Sequence, residues 1–141
     1  MKTRLLSALS IFFIVGCHNI AAREESLYVA LGGQVGLERL VDQLIEEIHF
    51  DPVVMSHFED TNWDRFREKQ LEHLCLLTGG ECQYTGDSML DVHAGMNVSE
   101  AAFNALVNDL QKAMEKLQIP VGTGNRLLAI LASMRSEIIY L

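Results

Sequence analysis

The sequence predicts an all-α single domain. Its 141 residues are about the length of one domain, and 49% of them are hydrophobic, which is enough to bury a core. The chain has only two prolines and 7% aromatic residues, which favours helices over a many-stranded sheet. Apolar residues recur at helical spacing along most of the chain, and we find no convincing strand pattern.

The first half of the domain predicts a short helix followed by a long one. Ser26 can cap a helix that runs through Leu31 and ends at Gly32-Gly33. The clearest helix follows, because one apolar stripe at i, i+3, i+4, i+7, i+8 and i+11 is formed by Leu37, Leu40, Val41, Leu44, Ile45 and Ile48. Asp51-Pro52 then predicts a corner.

A third helix is predicted from about Trp63 to Leu77, with two polar side chains on its apolar face. That face carries Phe66, Gln70, His73, Leu74 and Leu77. The amide of Gln70 and the imidazole of His73 need partners or a ligand if the stripe is buried. Alternatively, both lie at the edge of the stripe and reach water.

The second half predicts three more helices after a turn at Gly79-Gly80. A short helix over Ser88–Ala94 is followed by a long one that Ser99 caps. The apolar face of the long helix comprises Phe103, Leu106, Val107, Leu110, Met114 and Leu117. Pro120–Gly124 is predicted to be a loop. The final helix is expected to bury Leu127, Leu128, Leu131, Met134 and Ile138.

Residues 1–16 resemble a bacterial lipoprotein-type signal peptide. Lys2 and Arg4 precede an apolar run over Leu5–Val15, which is too short to span a bilayer as a stable anchor. The run ends in Ile14-Val15-Gly16-Cys17, which is similar to a lipoprotein cleavage box.

This resemblance implies that Cys17 becomes the lipidated first residue. The protein would then be exported and anchored by lipid at a membrane, on its periplasmic side. Residues 17–25 would form a tether and residues 26–141 the folded domain. The alternative is an ordinary signal peptide that is cut near Ala22.

Export changes how the two remaining cysteines are interpreted. Cys75 and Cys82 form an even pair on either side of Gly79-Gly80, where a turn can bring them together. Both a disulfide and two buried thiols fit this spacing, and the export signal favours the disulfide.

The charge and the motifs exclude several classes of function. The net charge is −8, and removal of the segment that carries Lys2 and Arg4 leaves −10, which repels phosphate backbones and argues against a nucleic-acid partner. The sequence has no Gly-x-Ser-x-Gly, no phosphate loop and no Gly-x-Gly-x-x-Gly. Its histidines and cysteines match no common zinc pattern.

Five motifs in order resemble the truncated haemoglobins, most closely group 1. The resemblance spans about Leu27 to Ile139 and needs no gap from Leu27 to His93. The motifs are Leu27-Tyr28-x-x-Leu31-Gly32-Gly33, Phe58 after the Asp51-Pro52 corner, Lys69-Gln70, Gly79-Gly80 with Tyr84-Thr85-Gly86, and Val92-His93-Ala94-Gly95-Met96.

The resemblance implies a truncated globin fold, a two-over-two helical sandwich around a non-covalently bound b-type haem. His93 matches the proximal iron ligand, a neutral imidazole whose other nitrogen donates to a backbone carbonyl. Lys69 and Tyr84 are expected near the haem propionates. The other implied haem contacts are Phe58, Phe66, Gln70, His73, Leu74 and Met89.

One position departs from the family pattern on the distal side. Group 1 members usually carry a tyrosine where this chain has Ile45, and isoleucine cannot donate a hydrogen bond to a gas ligand. The distal pocket, comprising Ile45, Phe66, Gln70 and His73, is therefore expected to be unusually apolar. Gln70 is its main remaining donor and His73 a second.

The function that the resemblance implies is reversible binding, or transport, of oxygen or another diatomic gas such as nitric oxide or carbon monoxide. One alternative is a haem enzyme, a nitric-oxide dioxygenase or peroxidase-like protein, or a redox or gas sensor on the same scaffold. Export away from cytoplasmic reductases counts against steady enzymatic turnover. The other alternative is a haemless acidic helical lipoprotein that binds a protein.

Overall fold

The computed structural model describes residues 25–141. The signal peptide, Cys17 and nearly all of the tether lie outside the described residues. Within 25–141 the helices are α1 (Leu27–Ala30), α2 (Gly33–Phe50), α3 (Pro52–Met55), α4 (Trp63–Leu77), α5 (Met89–His93), α6 (Glu100–Lys116) and α7 (Val121–Ala132), followed by a 3₁₀ turn at Arg135–Glu137.

The all-α prediction is confirmed over this range. The only extended pairing among the described residues is an isolated bridge between Val98 and Ile139. None of the described helices is both long and apolar enough to cross a bilayer.

Polar side chains fix where the helices begin. The hydroxyls of Ser26 and Ser99 accept hydrogen bonds from the backbone N–H groups of Val29 and Ala102. These caps were predicted from the sequence, and they satisfy donors that a helix start leaves unpaired. Equivalent caps are supplied by Asp51, Asn62 and Ser88.

The fold is built around α2, which packs against α4 and α6, while α6 also packs against α7. The pairs α2–α4 and α6–α7 correspond to the two helical layers that the family resemblance implies. The apolar stripe of α2 is the centre of the core. Its fully buried members are Leu37, Leu40, Val41 and Ile48, and they share the core with Leu74, Ala113 and Leu127.

The predicted loop at Pro120–Gly124 is wrong, because α7 begins at Val121. Pro120 is the N-cap and needs no helical N–H, so it starts the helix instead of preventing it. Gly124 is buried, and a Cβ there would lie 3.2 Å from the sulfur of Met114. This glycine therefore allows α7 to approach α6.

The final helix is shorter than predicted. It ends at Ala132, so Met134 and Ile138 lie in the C-terminal segment and are only half-buried. The segment is held by backbone hydrogen bonds instead. The N–H of Tyr140 donates to Val98 and the N–H of Asn97 donates to Leu141.

Candidate functional site

His93 is the last residue of α5, and its ring is held in one orientation. Nδ1 lies 2.7 Å from the carbonyl oxygen of Met89, which is the first residue of the same helix. A carbonyl can only accept, so Nδ1 carries the proton and donates it. Nε2 then keeps its lone pair, which is the form of imidazole that binds iron.

Within residues 25–141 the same local bond occurs at one other histidine, His49. Its Nδ1 lies 2.7 Å from the carbonyl oxygen of Ile45. His49 is exposed at the end of α2, and its ring lies 4.3 Å from that of Trp63. The hydrogen bond therefore fixes the tautomer without identifying the site, and His49 is a matched control for His93.

Phe58 and Phe66, which the family resemblance implies to be haem contacts, lie together. Their ring centroids are 5.2 Å apart in an edge-to-face arrangement. Trp63 completes this aromatic cluster, at 5.3 Å from Phe58 and 5.8 Å from Phe66. Such pairs stabilise each other beyond simple burial. Trp63 was not predicted as a site residue, although it is the only tryptophan of the chain.

Ile45 and Gln70 are both half-buried, on α2 and α4 respectively. The side chain of Ile45 packs against the hydrophobic core and has only carbon atoms, so it cannot donate a hydrogen bond. Among residues 25–141 we find no hydrogen bond to the side-chain amide of Gln70. The amide can therefore donate to a ligand, as the resemblance implies.

His73 is buried on α4, with 8% of its surface exposed. Its ring centroid lies 4.9 Å from that of Tyr84. Tyr84 in turn donates its hydroxyl to the carbonyl of Asp87 at 2.7 Å. Burial lowers the pKa of His73 below its ordinary value of 6.5, since a charged imidazole would lose hydration there. His73 is therefore neutral at neutral pH.

Burial of His73 makes stability depend on acidity. With the pKa lower in the folded state, the unfolded state binds more protons, so the free energy of unfolding falls as the pH drops below about 6.5. We expect His73→Leu to flatten this dependence between pH 7 and 5. Urea unfolding of the haem-loaded protein at several pH values measures the slope. Removal of another histidine, in His49→Gln, is the control, and an unchanged slope in His73→Leu would contradict the assignment.

Lys69 is held by side chains around it. Its Nζ lies 2.9 Å from a carboxylate oxygen of Glu68, 3.0 Å from one of Glu72 and 2.6 Å from the hydroxyl of Thr85. Hydrogen bonds to Glu68 and then Glu72 raise the pKa of Lys69. A propionate would share Lys69 with these carboxylates, and the propionate contact stays a prediction. Glu72 was not identified from the sequence.

The remaining predicted site residues lie on α4 and α5. Leu74 is part of the core, with 1% of its surface exposed. Met89 is half-buried and accepts the hydrogen bond from His93. His93 lies on α5, whereas the distal candidates lie on α2 and α4. No hydrogen bond among the described residues joins His93 to α4.

Cys75 and Cys82 are joined by a disulfide, with their Cα atoms 5.9 Å apart. Cys75 is buried on α4, and Cys82 lies in the segment that leads to α5. We expect the native protein to incorporate no alkyl group at these positions unless it is first reduced. Intact mass after alkylation, with and without reductant, measures this. Two alkyl groups on Cys75 and Cys82 in unreduced protein would contradict it.

The metal-ligating side chains of the described residues fit a cofactor that itself supplies most of the ligands of its metal. No group of three or more His, Cys, Asp or Glu side chains among residues 25–141 is arranged to hold a metal ion. A single imidazole with a free Nε2, as at His93, suits a porphyrin, which already supplies four nitrogens to its iron.

Comparison with known proteins decides the family. A family model described as bacterial-like globin matches residues 26–140. The chain is also 33% identical over 89 residues to the group 1 truncated haemoglobin GlbN of a Nostoc species, covering 63% of this chain and 75% of the other. The chain belongs to the group 1 truncated haemoglobins. Haem is accordingly the cofactor of this truncated haemoglobin.

The relatives of this truncated haemoglobin carry the same description. It is 29% identical over 117 residues to the group 1 truncated haemoglobin GlbN of Mycolicibacterium paratuberculosis, covering 83% of this chain and 86% of that one.

Solved structures confirm the two-over-two globin fold. The truncated haemoglobin of Tetrahymena pyriformis in its Fe(III) form superposes with a TM-score of 0.80 at 24% identity, over 83% of this chain and all of that chain. THB1 of Chlamydomonas reinhardtii gives 0.69 at 26% identity, over 83% of this chain and 98% of its own.

Proposed function

We propose that this truncated haemoglobin holds haem through Nε2 of His93 and binds a diatomic gas reversibly on the opposite, distal side. Two observations together carry the proposal: His93 ends the short helix α5 at the position that matches the proximal ligand of the family, and its Nδ1 is hydrogen-bonded to the carbonyl of Met89 at 2.7 Å. The hydrogen bond leaves Nε2 unprotonated, so its lone pair is free to bind iron.

Some side chains of the site would hold haem, and others would contact the gas. When bound, haem supplies an iron centre at which a diatomic gas can bind and leave. The hydrogen bond from His93 to the carbonyl of Met89 holds the imidazole in one orientation. Phe58 and Phe66 contribute aromatic surface for the haem, since they form a packed pair with Trp63.

The side-chain amide of Gln70 is the main hydrogen-bond donor of the distal pocket to a polar gas ligand. The amide has no competing hydrogen bond among residues 25–141, so it is free to donate one. The side chains of Ile45 and Phe66 have no hydrogen-bond donor. His73 adds a neutral imidazole on the same helix, one turn further along. Oxygen, which gains most from a donor, should therefore leave faster than from a tyrosine-bearing pocket. Carbon monoxide depends less on such a donor.

We also propose that the protein works outside the cytoplasm as a lipoprotein anchored through Cys17. The support is the signal-like sequence of residues 1–16 and an even pair of cysteines in the mature chain. Metabolic labelling with a fatty acid, compared between wild type and Cys17→Ser, tests this directly. Equal labelling of both would contradict it.

Rapid mixing of the reduced protein with oxygen and with carbon monoxide tests the gas-binding function. We expect a reversible spectral change with both gases and an oxygen dissociation rate well above that of tyrosine-bearing relatives measured in parallel. A rate as slow as theirs would contradict the apolar pocket. No spectral change with either gas would contradict the function itself.

A further inference from the structure

The segment that leads to α5 lies along α4 and is fastened to it repeatedly. We define residues 82–88 as the strap. Moving forward along the strap moves backward along α4, so the two run antiparallel. The contacts in order are Cys82 with Cys75, Tyr84 with His73, Thr85 with Glu72, and Asp87 with Arg65.

These fastenings differ in strength. Arg65 and Asp87 are 3.9 Å apart and both largely exposed, so their attraction is screened and contributes little. Glu72 is different, because one of its oxygens accepts the backbone N–H of Thr85 at 2.8 Å and both contact the Thr85 hydroxyl, at 2.9 and 3.1 Å. The backbone N–H of Thr85, followed by Lys69, lowers the pKa of Glu72, so it stays a carboxylate at neutral pH.

Helix α5 depends on such external support. It has five residues, too few to be stable alone, and none of them is fully buried. Apart from its own ends, it packs mainly against the 3₁₀ turn Arg135–Glu137. Its first turn is capped by Ser88, the last residue of the strap. The position of the strap therefore sets the position of the helix.

We propose that Glu72 is a positioning residue for the proximal side: by holding Thr85, it fixes the strap on α4 and so sets the placement of α5 and of His93. The inference rests on the proposed role of His93 as iron ligand. It means that a carboxylate on the distal helix controls how the proximal imidazole is presented to haem.

Glu68 provides the matched control. It is also a carboxylate on α4 that contacts Lys69, at 2.9 Å, but none of its hydrogen bonds reaches the strap. Glu68→Ala and Glu72→Ala therefore remove the same charge next to the same lysine. Only Glu72→Ala removes the acceptor for Thr85. Thr85→Val, at an exposed position, removes the hydroxyl that contacts both Glu72 and Lys69 and keeps the backbone N–H, so it weakens the contact from the strap side and leaves the sequence of α4 unchanged.

Two measurements on the full-length protein test the proposal. Amide hydrogen exchange over residues 84–88, with and without haem, reports whether the strap is held. We expect Glu72→Ala to speed exchange by about tenfold, as for loss of a charge-assisted hydrogen bond, and Glu68→Ala to leave it unchanged. The iron–histidine stretching band of the reduced haem protein reports the placement of His93. We expect it to shift or broaden in Glu72→Ala and Thr85→Val only.

The outcomes separate the two proposals. If Glu72→Ala matches Glu68→Ala in both measurements, the positioning role is wrong. Faster exchange with an unchanged iron–histidine band also overturns it, because the strap would then be held without orienting His93. A wild-type protein that lacks the band overturns the ligand role of His93, and that failure is visible before any variant at Glu72 is made.

Discussion

Replacing His93 with alanine is expected to remove the coordinate bond to iron and to speed haem loss by more than about 100-fold. Changes in the outer partners of a metal ligand already cost roughly 10–100-fold in affinity, and loss of the ligand itself should cost more. The transfer of haem to an excess of a scavenging globin measures the rate. The absorption maximum of the remaining complex should also shift.

His49→Ala is the control, because it removes an imidazole with the same Nδ1–carbonyl hydrogen bond, also 2.7 Å long. His49 is exposed on another helix and contacts the aromatic cluster only through Trp63, so its removal should change haem loss far less than the removal of His93. Equal rates for His93→Ala and wild type would contradict the assignment. Faster haem loss in His49→Ala than in His93→Ala would indicate that His49, at the C-terminal end of α2, is the iron ligand instead.

Ile45→Tyr is expected to slow oxygen dissociation by about tenfold. The phenol would add one hydrogen-bond donor in a pocket where Ile45 offers none, and a net hydrogen bond of about 1–1.5 kcal/mol corresponds to that factor. Flow measurement of oxygen release from the reduced protein gives the rate. The effect on carbon monoxide should be smaller, because that gas is the weaker acceptor.

Ile45→Phe separates the hydroxyl from the ring. Phenylalanine fills nearly the same space as tyrosine but donates no hydrogen bond. If both variants slow oxygen release equally, the cause is the bulk of the ring in the pocket, and a missing donor does not explain the fast release. A slow rate only in Ile45→Tyr supports the role of the donor.

The sequence predicted the fold best where a helix is defined by local signals. The helix from Trp63 to Leu77 was placed at its observed bounds, because it has an apolar stripe and is followed by the Gly79-Gly80 turn. The prediction failed at the start of α7, where Pro120–Gly124 was predicted to be a loop. The close approach of Gly124 to Met114 comes from another helix, and no local pattern contains it.

The site residues also differ in whether local sequence signals or long-range contacts reveal them. The spacing of motifs placed His93 on a short helix, and the structure added which of its nitrogens is free. Glu72 was not found because its partner Thr85 is 13 residues away, beyond the reach of helical periodicity. Lys69 was predicted near the haem propionates, and its contacts with the carboxylates of Glu68 and Glu72 follow from the structure alone.

The iron–histidine stretching band of the reduced, gas-free protein tests the central claim most directly. If Nε2 of His93 binds iron, the band shifts when the protein is labelled with ¹⁵N-histidine, disappears in His93→Gly, and returns when free imidazole is added. A band that persists in His93→Gly without imidazole would contradict the claim, since another residue would then hold the iron.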